Sequence, residues 1–198
     1  MGFRRNIFDT NYPVHIISRA VEERKVFKDD VDCFRFIFQM YATNIGRPVR
    51  NLWRQDVIKA ATALLSGEEV SSRFVIKEHP PLVHFLDFVL VVNHNHFFLI
   101  SNHEKGIPIF MQKLNGGFAK YFNLKHNRRD SLFGSRYKSI LVKTEFQSDA
   151  VSRYVSIINP LDVYQPGWRE KGLENWERAL EFLGNYQLQF LDEIIIKR

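Results

Sequence analysis

His94 and His96 are separated by Asn95 alone, inside a strongly apolar run. In a β-strand successive side chains alternate between faces, so both imidazoles would point the same way, a few ångströms apart. Two imidazoles so placed suit one shared divalent cation; two adjacent imidazolium ions would repel. The pair equally suits a plain surface or core setting, because a chain with 7 histidines can hold an HxH by chance. Asn95 would face the other way and, if buried, would need its own hydrogen-bond partner. Farther along, Tyr154 stands five residues before Asn159-Pro160, near the end of a helical stretch. A tyrosine there is ordinarily a packing residue. Beside a metal and a basic surface, its phenol is a plausible nucleophile toward a phosphodiester.

The charge for such a surface is local. The chain carries a net +6 over 198 residues. Between Gln112 and Lys143, eight lysines and arginines stand against Asp130 alone, a local +7, so the remainder sums to about −1. Lys120, Lys125, Arg128, Arg129, Arg136 and Lys138 fall in this stretch, interleaved with Tyr121, Phe122 and Tyr137. Such a stretch is either a solvated face or a surface for a polyanion, most commonly nucleic acid. The aromatics either pack in the core or stack on splayed bases. Hydrophobic residues at 45% and charged residues at 25% exclude wholesale disorder. The single cysteine, Cys33, excludes an internal disulfide and a cysteine-rich zinc cluster, and points to a reducing compartment. No uncharged apolar run reaches the roughly 18 residues of a membrane span. Met1 to Asn6 lacks the apolar core of a secretory signal.

The elements that must position these groups read as follows. Residues 12–21 are rich in β-branched side chains and predict a strand. Asp29-Asp30 opens a helix with Phe34, Ile37, Phe38 and Tyr41 on one face, ended by Gly46-Arg47-Pro48. A second helix spans about 52–65. Residues 82–92 and 96–101 predict central, buried strands, with Asn93-His94-Asn95 at their junction. A helix follows over 106–123, weakened at Gly116-Gly117. Then come a basic loop at 127–131, a strand at 136–143, and a helix at 147–158 stopped by Asn159-Pro160. After an irregular stretch, residues 173–183 predict an amphipathic helix with Trp176, Leu180 and Leu183 on one side. Phe190 to Arg198 has no clear assignment. The order βαββαβ, interrupted by a helical insertion at about 47–81, predicts an α+β fold. It would be an antiparallel sheet of split-βαβ, ferredoxin-like plan with helices mainly on one face. The reading is one domain over 1–198 with a C-terminal extension from about 162.

Five motifs occur in order: Ser18-Arg19-Ala20 after His15; Asn93-His94-Asn95-His96; Phe110-Met111-Gln112-Lys113-Leu114 with Tyr121-Phe122-Asn123; Ser131-Leu132-Phe133-Gly134-Ser135-Arg136-Tyr137-Lys138; and Arg153-Tyr154 before Asn159-Pro160. Together they resemble the REP-associated tyrosine transposase group of the single-tyrosine HUH endonucleases. The resemblance departs at Asn95, where that group has a hydrophobic residue, and at Ala20, where it has glycine. It departs also in the gap from Tyr154 to Asn159, five residues instead of four. The resemblance implies a nickase or strand transferase acting on single-stranded DNA beside hairpins. His94 and His96, with Asn159 as a third ligand, would hold Mg²⁺ or Mn²⁺. Tyr154 would attack phosphorus, leaving a 5′-phosphotyrosine and a free 3′-OH. Arg19, Lys120, Tyr121, Lys125, Arg128, Arg129, Arg136 and Lys138 would contact DNA. It further implies a monomer or homodimer in the prokaryotic cytoplasm, associated with the nucleoid. The competing reading is a non-catalytic or domesticated module that binds single-stranded DNA or RNA. A hydrolase of small phosphoesters would explain the histidines but not the basic stretch.

Overall fold

The computed structural model describes residues 8–50, 52–134 and 136–188. The two terminal segments read above, Met1 to Asn6 and Phe190 to Arg198, lie outside them. The fold is α+β. Its main sheet has four strands, all antiparallel: β1 (Val14–Arg19), β4 (Val83–Val91), β5 (His94–Ser101) and β6 (Lys138–Leu141), in the order β4-β5-β1-β6. This is the split-βαβ order. The helices α1 (Asp30–Ile45) and α3 (Gly106–Lys125) pack on one face of it. There Val14, Ile16, Phe88, Phe97 and Leu99 meet Phe36, Phe110 and Phe118, all of them buried. The Phe36 and Phe97 rings stack 6.3 Å apart. Aromatic bulk of this kind supplies most of the apolar area removed from water.

Local chemistry explains the element ends. Asp29 caps α1 by accepting from the Asp32 backbone N–H, 3.0 Å away. Strand β5 begins at His94, because the turn between β4 and β5 is only Val92-Asn93 and both histidines belong to the ladder. Strand β4 is an edge strand, not a central one. Its outer side is covered instead by Asn44, whose side chain bonds both Val83 N–H and C=O, and by Tyr186 donating to the Leu90 carbonyl. Helix α3 runs unbroken through Gly116-Gly117, since Gly117 is a contact point. A Cβ there would sit 2.4 Å from the Gln39 amide of α1. Strand β6 is shorter than the 136–143 reading.

The insertion contains more than a helix. Beside α2 (Arg54–Leu65), which packs on α1, it forms a two-stranded sheet of β2 (Gly46–Pro48) and β3 (Val75–Lys77).

The C-terminal half departs most from the sequence reading. Helix α4 (Glu145–Arg153) leads into a π turn, Tyr154 to Ile158, and then α5 (Asn159–Tyr164), so Asn159-Pro160 does not stop the helix. Pro160 lacks an N–H and its ring crowds the carbonyl four residues back. The wider turn, closed by Asn159 N–H donating to the Tyr154 carbonyl, relieves that crowding. The helix then resumes with Pro160 in its first turn, where no N–H is needed. After a short α6 (Trp168–Lys171), α7 (Trp176–Leu188) turns Ala179, Phe182 and Tyr186 inward, leaving Trp176 and Leu180 exposed. The Tyr164 ring of α5 sets that face by packing on Phe182, 5.1 Å away.

Candidate active site

The strand registers decide which side chains share the open face of the sheet. Directly opposed residues lie on the same face. Arg19 opposes His94, Ile17 opposes His96, and Ile17 also opposes Lys138. His15, two residues before Ile17, joins that row of side chains. On β4 the register slips between Phe85 and Asp87. The extra residue rotates Asp87 away from the core face that Phe85 occupies and onto the histidine face, as bulges do. There the Ser156 hydroxyl of the π turn donates to Asp87.

The histidines are close and chemically defined. His94 and His96 have ring centroids 4.9 Å apart. The His94 Nδ1–H donates to Asn93 Oδ1, at 2.6 Å, so its Nε2 carries a lone pair. His96 Nδ1 and His15 Nε2 share a hydrogen bond of 2.9 Å. The Nε2 atom of His96 is buried and has no partner among the described residues. Burial is the largest cause lowering all three imidazoles below their ordinary pKa. It brings His94 to about 4 with help from Arg19, and His96 to about 3 with help from His94, His15 and Arg19. Both are therefore neutral at neutral pH, the form that binds a metal.

The π turn carries Tyr154 over this cluster. Its ring lies 5.5 Å from His96 and 6.1 Å from His15, edge-on to both. Asn159 is buried, and its Nδ2 donates to the Tyr154 carbonyl at 2.7 Å, leaving Oδ1 as its acceptor atom. Because a π turn spans one residue more than an α turn, Asn159 follows Tyr154 by one turn although the gap is five residues. Arg169 reaches this turn from α6. The Asp162 carboxylate holds its guanidinium first, and the Tyr154 phenol second, together raising its pKa.

With His96 Nδ1–H donating to His15 Nε2, the buried Nε2 of His96 offers a lone pair beside that of His94, a donor set that fits a divalent cation. Neutral imidazoles suit Mn²⁺ better than Mg²⁺, which prefers oxygen. Among the described residues no third His, Cys, Asp or Glu completes a three-donor group.

The basic stretch does not form one surface. Lys138 lies in the His96 row, and Arg19 beside His94, in a loose ion pair of 3.8 Å with Glu23. Arg136 is exposed just before β6. Lys120 is exposed on α3, which packs against the opposite sheet face, and Arg129 is exposed in the loop that follows. Lys125 is bound to Asp29 and Asp32, each at 2.7 Å. The guanidinium nitrogens NH1 and NH2 of Arg128 are buried beside Phe122, without hydrogen-bond partners among the described residues. The Tyr121 hydroxyl donates to Asp32, and burial with that carboxylate pushes its pKa up to about 12. Lys125 and Tyr121 are thus held by the acidic start of α1, which the α3 terminus meets, and Arg128 lies against Phe122.

Asn95 is fully buried on the helix-covered face, with neither amide atom paired among the described residues. Three participants escaped the sequence reading. His15 sat in plain view in the alternation His15-Ile16-Ile17-Ser18-Arg19. Asp87 depended on a bulge, and Arg169 on a helix in a stretch read as irregular.

No family model and no curated protein matches the chain. Two similar solved structures are a protein assigned as a transposase from Deinococcus radiodurans R1 and a REP-associated tyrosine transposase bound to a REP hairpin. The first has 14% identity and a TM-score of 0.38 over 72% of this chain and 86% of that one. The second has 11% identity and a TM-score of 0.43 over 100% of this chain and 95% of that one.

Proposed function

We propose that the chain is a transposase-like, metal-dependent nickase and strand transferase for single-stranded DNA, with Tyr154 as nucleophile. One observation carries this reading: the Tyr154 ring packs against His96, whose buried Nε2 has no partner among the described residues. A packing tyrosine would not need two neutral imidazoles on the same sheet face. His94 and His96 would hold Mn²⁺ or Mg²⁺, with Asn159 Oδ1 as a candidate third ligand. A bound cation supplies Lewis-acid polarisation of the scissile phosphate.

The rest falls to the chain's own groups. His15 fixes the His96 ring through their hydrogen bond, and Asn93 fixes the His94 tautomer. The Tyr154 oxygen forms a bond to phosphorus while the bond from phosphorus to the 3′ oxygen breaks. Overall the phenolic proton passes to that leaving oxygen, giving a 5′-phosphotyrosine and a free 3′-OH. The guanidinium of Arg169 beside the phenol favours the developing phenolate. Arg19 and Lys138, on the same sheet face, would meet backbone phosphates. The DNA in question would be single-stranded beside a hairpin.

The test is incubation with end-labelled single-stranded hairpin DNA and Mn²⁺, followed by denaturing electrophoresis. A covalent protein–DNA band whose linked peptide contains Tyr154 is the expected result. Tight DNA binding without any adduct would instead establish a binding-only module.

A further inference from the structure

On the other side of the sheet, α1, α2 and α3 line a half-open cavity of about 300 Å³. Neither His94, His96 nor Tyr154 takes part in it. Val31, Leu52 and Val57 form an aliphatic wall, and every charged group in the lining is positive: Arg35, Arg54 and Lys125. The carboxylates nearby, Asp29 and Asp32, are already bound to Lys125. Arg35 has no such partner. Among the described residues its Nε is buried and unpaired, its hydrogen bond to Gln39 is a long 3.4 Å, and its guanidinium lies over the Phe38 and Tyr121 rings. An Nε–H withdrawn from water without an acceptor is costly, and an anion in the cavity would supply what is missing. Arg54 stands exposed at the rim, next to Trp53, whose indole is 79% exposed. The volume lies at the small end of ligand pockets, enough for one small ligand and not a strand.

We propose that this cavity binds a single nucleoside monophosphate unit, its phosphate on Arg35 and Arg54 and its base against the aliphatic wall. Leu52, Arg54 and Val57 all come from the segment inserted after α1, so the insertion is what builds the site. Arg35 offers the fork geometry that suits a phosphate, while Val31, Leu52 and Val57 take a flat apolar ring.

Calorimetric titration of the full chain with 2′-deoxyadenosine 5′-monophosphate tests this. Saturable one-to-one binding is expected, with inorganic phosphate and deoxyadenosine each about tenfold weaker or more, since each lacks half of the contacts. Arg54→Glu should weaken the nucleotide about tenfold or more, by removing one charge-assisted bond. Lys59→Glu, the same charge change on the far side of α2, should leave it unaltered, as should His96→Ala and Tyr154→Phe. Those last two separate this site from the Tyr154 cluster. A 5′-phosphorylated oligothymidylate that binds better than its 5′-hydroxyl form, and loses that advantage in Arg54→Glu, would assign the nucleotide to a strand end; equal binding of the two forms would assign it to the free pool. No saturable heat, equal affinities for phosphate and nucleotide, or equal affinities of wild type and Arg54→Glu would overturn the proposal.

Discussion

Tyr154→Phe removes one oxygen and almost no volume, so melting should barely change. If the phenol is the nucleophile, adduct and cleavage both vanish while hairpin binding persists, which denaturing gels and a binding assay read separately. Tyr121→Phe is the counterpart. It breaks the bond to the buried Asp32 and should cost about 1 kcal/mol of stability with the adduct retained. The histidines give a pH signature. Unfolded imidazoles titrate near 6.5, whereas His94 and His96 hold out to about 4 and about 3. Below about pH 6.5 the unfolded chain therefore binds protons that the folded chain refuses. Stability should fall on acidification from there, by up to about 1.4 kcal/mol per pH unit for each histidine, and stay flat above. Urea melts from pH 7 to 5 measure the slope, and His96→Gln should flatten it. The shared face of these two rings was legible in the sequence, because strand alternation is geometry. The bond from His15 and the aim of Asp87 were not, because strand register and a bulge set them.

At the scale of elements, the π turn does what an α turn could not. Asn159→Ala removes the amide that bonds the Tyr154 carbonyl, and should lower stability by about 1 kcal/mol. The same change should slow adduct formation more than it weakens DNA binding, since the turn aims the phenol; single-turnover rates and binding constants compare the two. The five-residue gap from Tyr154 to Asn159 was visible in the sequence, but its accommodation was not. Periodicity cannot distinguish a stopped helix from a widened one when proline follows. Helix α3 gives a paired test. A methyl at Gly116 meets nothing within 4 Å, so Gly116→Ala should stabilise by up to about 1 kcal/mol. At Gly117 it must displace the buried Gln39 side chain, and thermal melts should rank that variant below the first.

Over the whole molecule, a cluster that is contiguous along the chain is divided in space. Its cations serve three ends: Lys138 on the histidine face, Lys120 on the helix layer, and Lys125 inside an ion-pair network. Arg19→Ala and Lys138→Ala should each reduce the slope of log affinity against log salt by about 0.7. Lys125→Ala should instead leave the slope alone and cost roughly 3 kcal/mol, because Asp32 is fully buried and would lose its main partner. Filter-binding salt series and denaturant melts tell the two outcomes apart. The sheet order was legible from alternating strands and helices; the division of charge was not, because it follows from where α3 ends. The attachment of the C-terminal half has a temporal consequence. His94 and His96 sit in a tight hairpin, whose contacts are local and form early. Tyr154 arrives on a segment more than fifty residues away in the chain, and α4, which leads into it, buries no side chain completely. Such a segment opens at lower free energy than the sheet beneath it. Backbone amides of α4 should therefore exchange with deuterium well before those of β5, and the Tyr154 ring can leave its partners while the pair of imidazoles stays assembled.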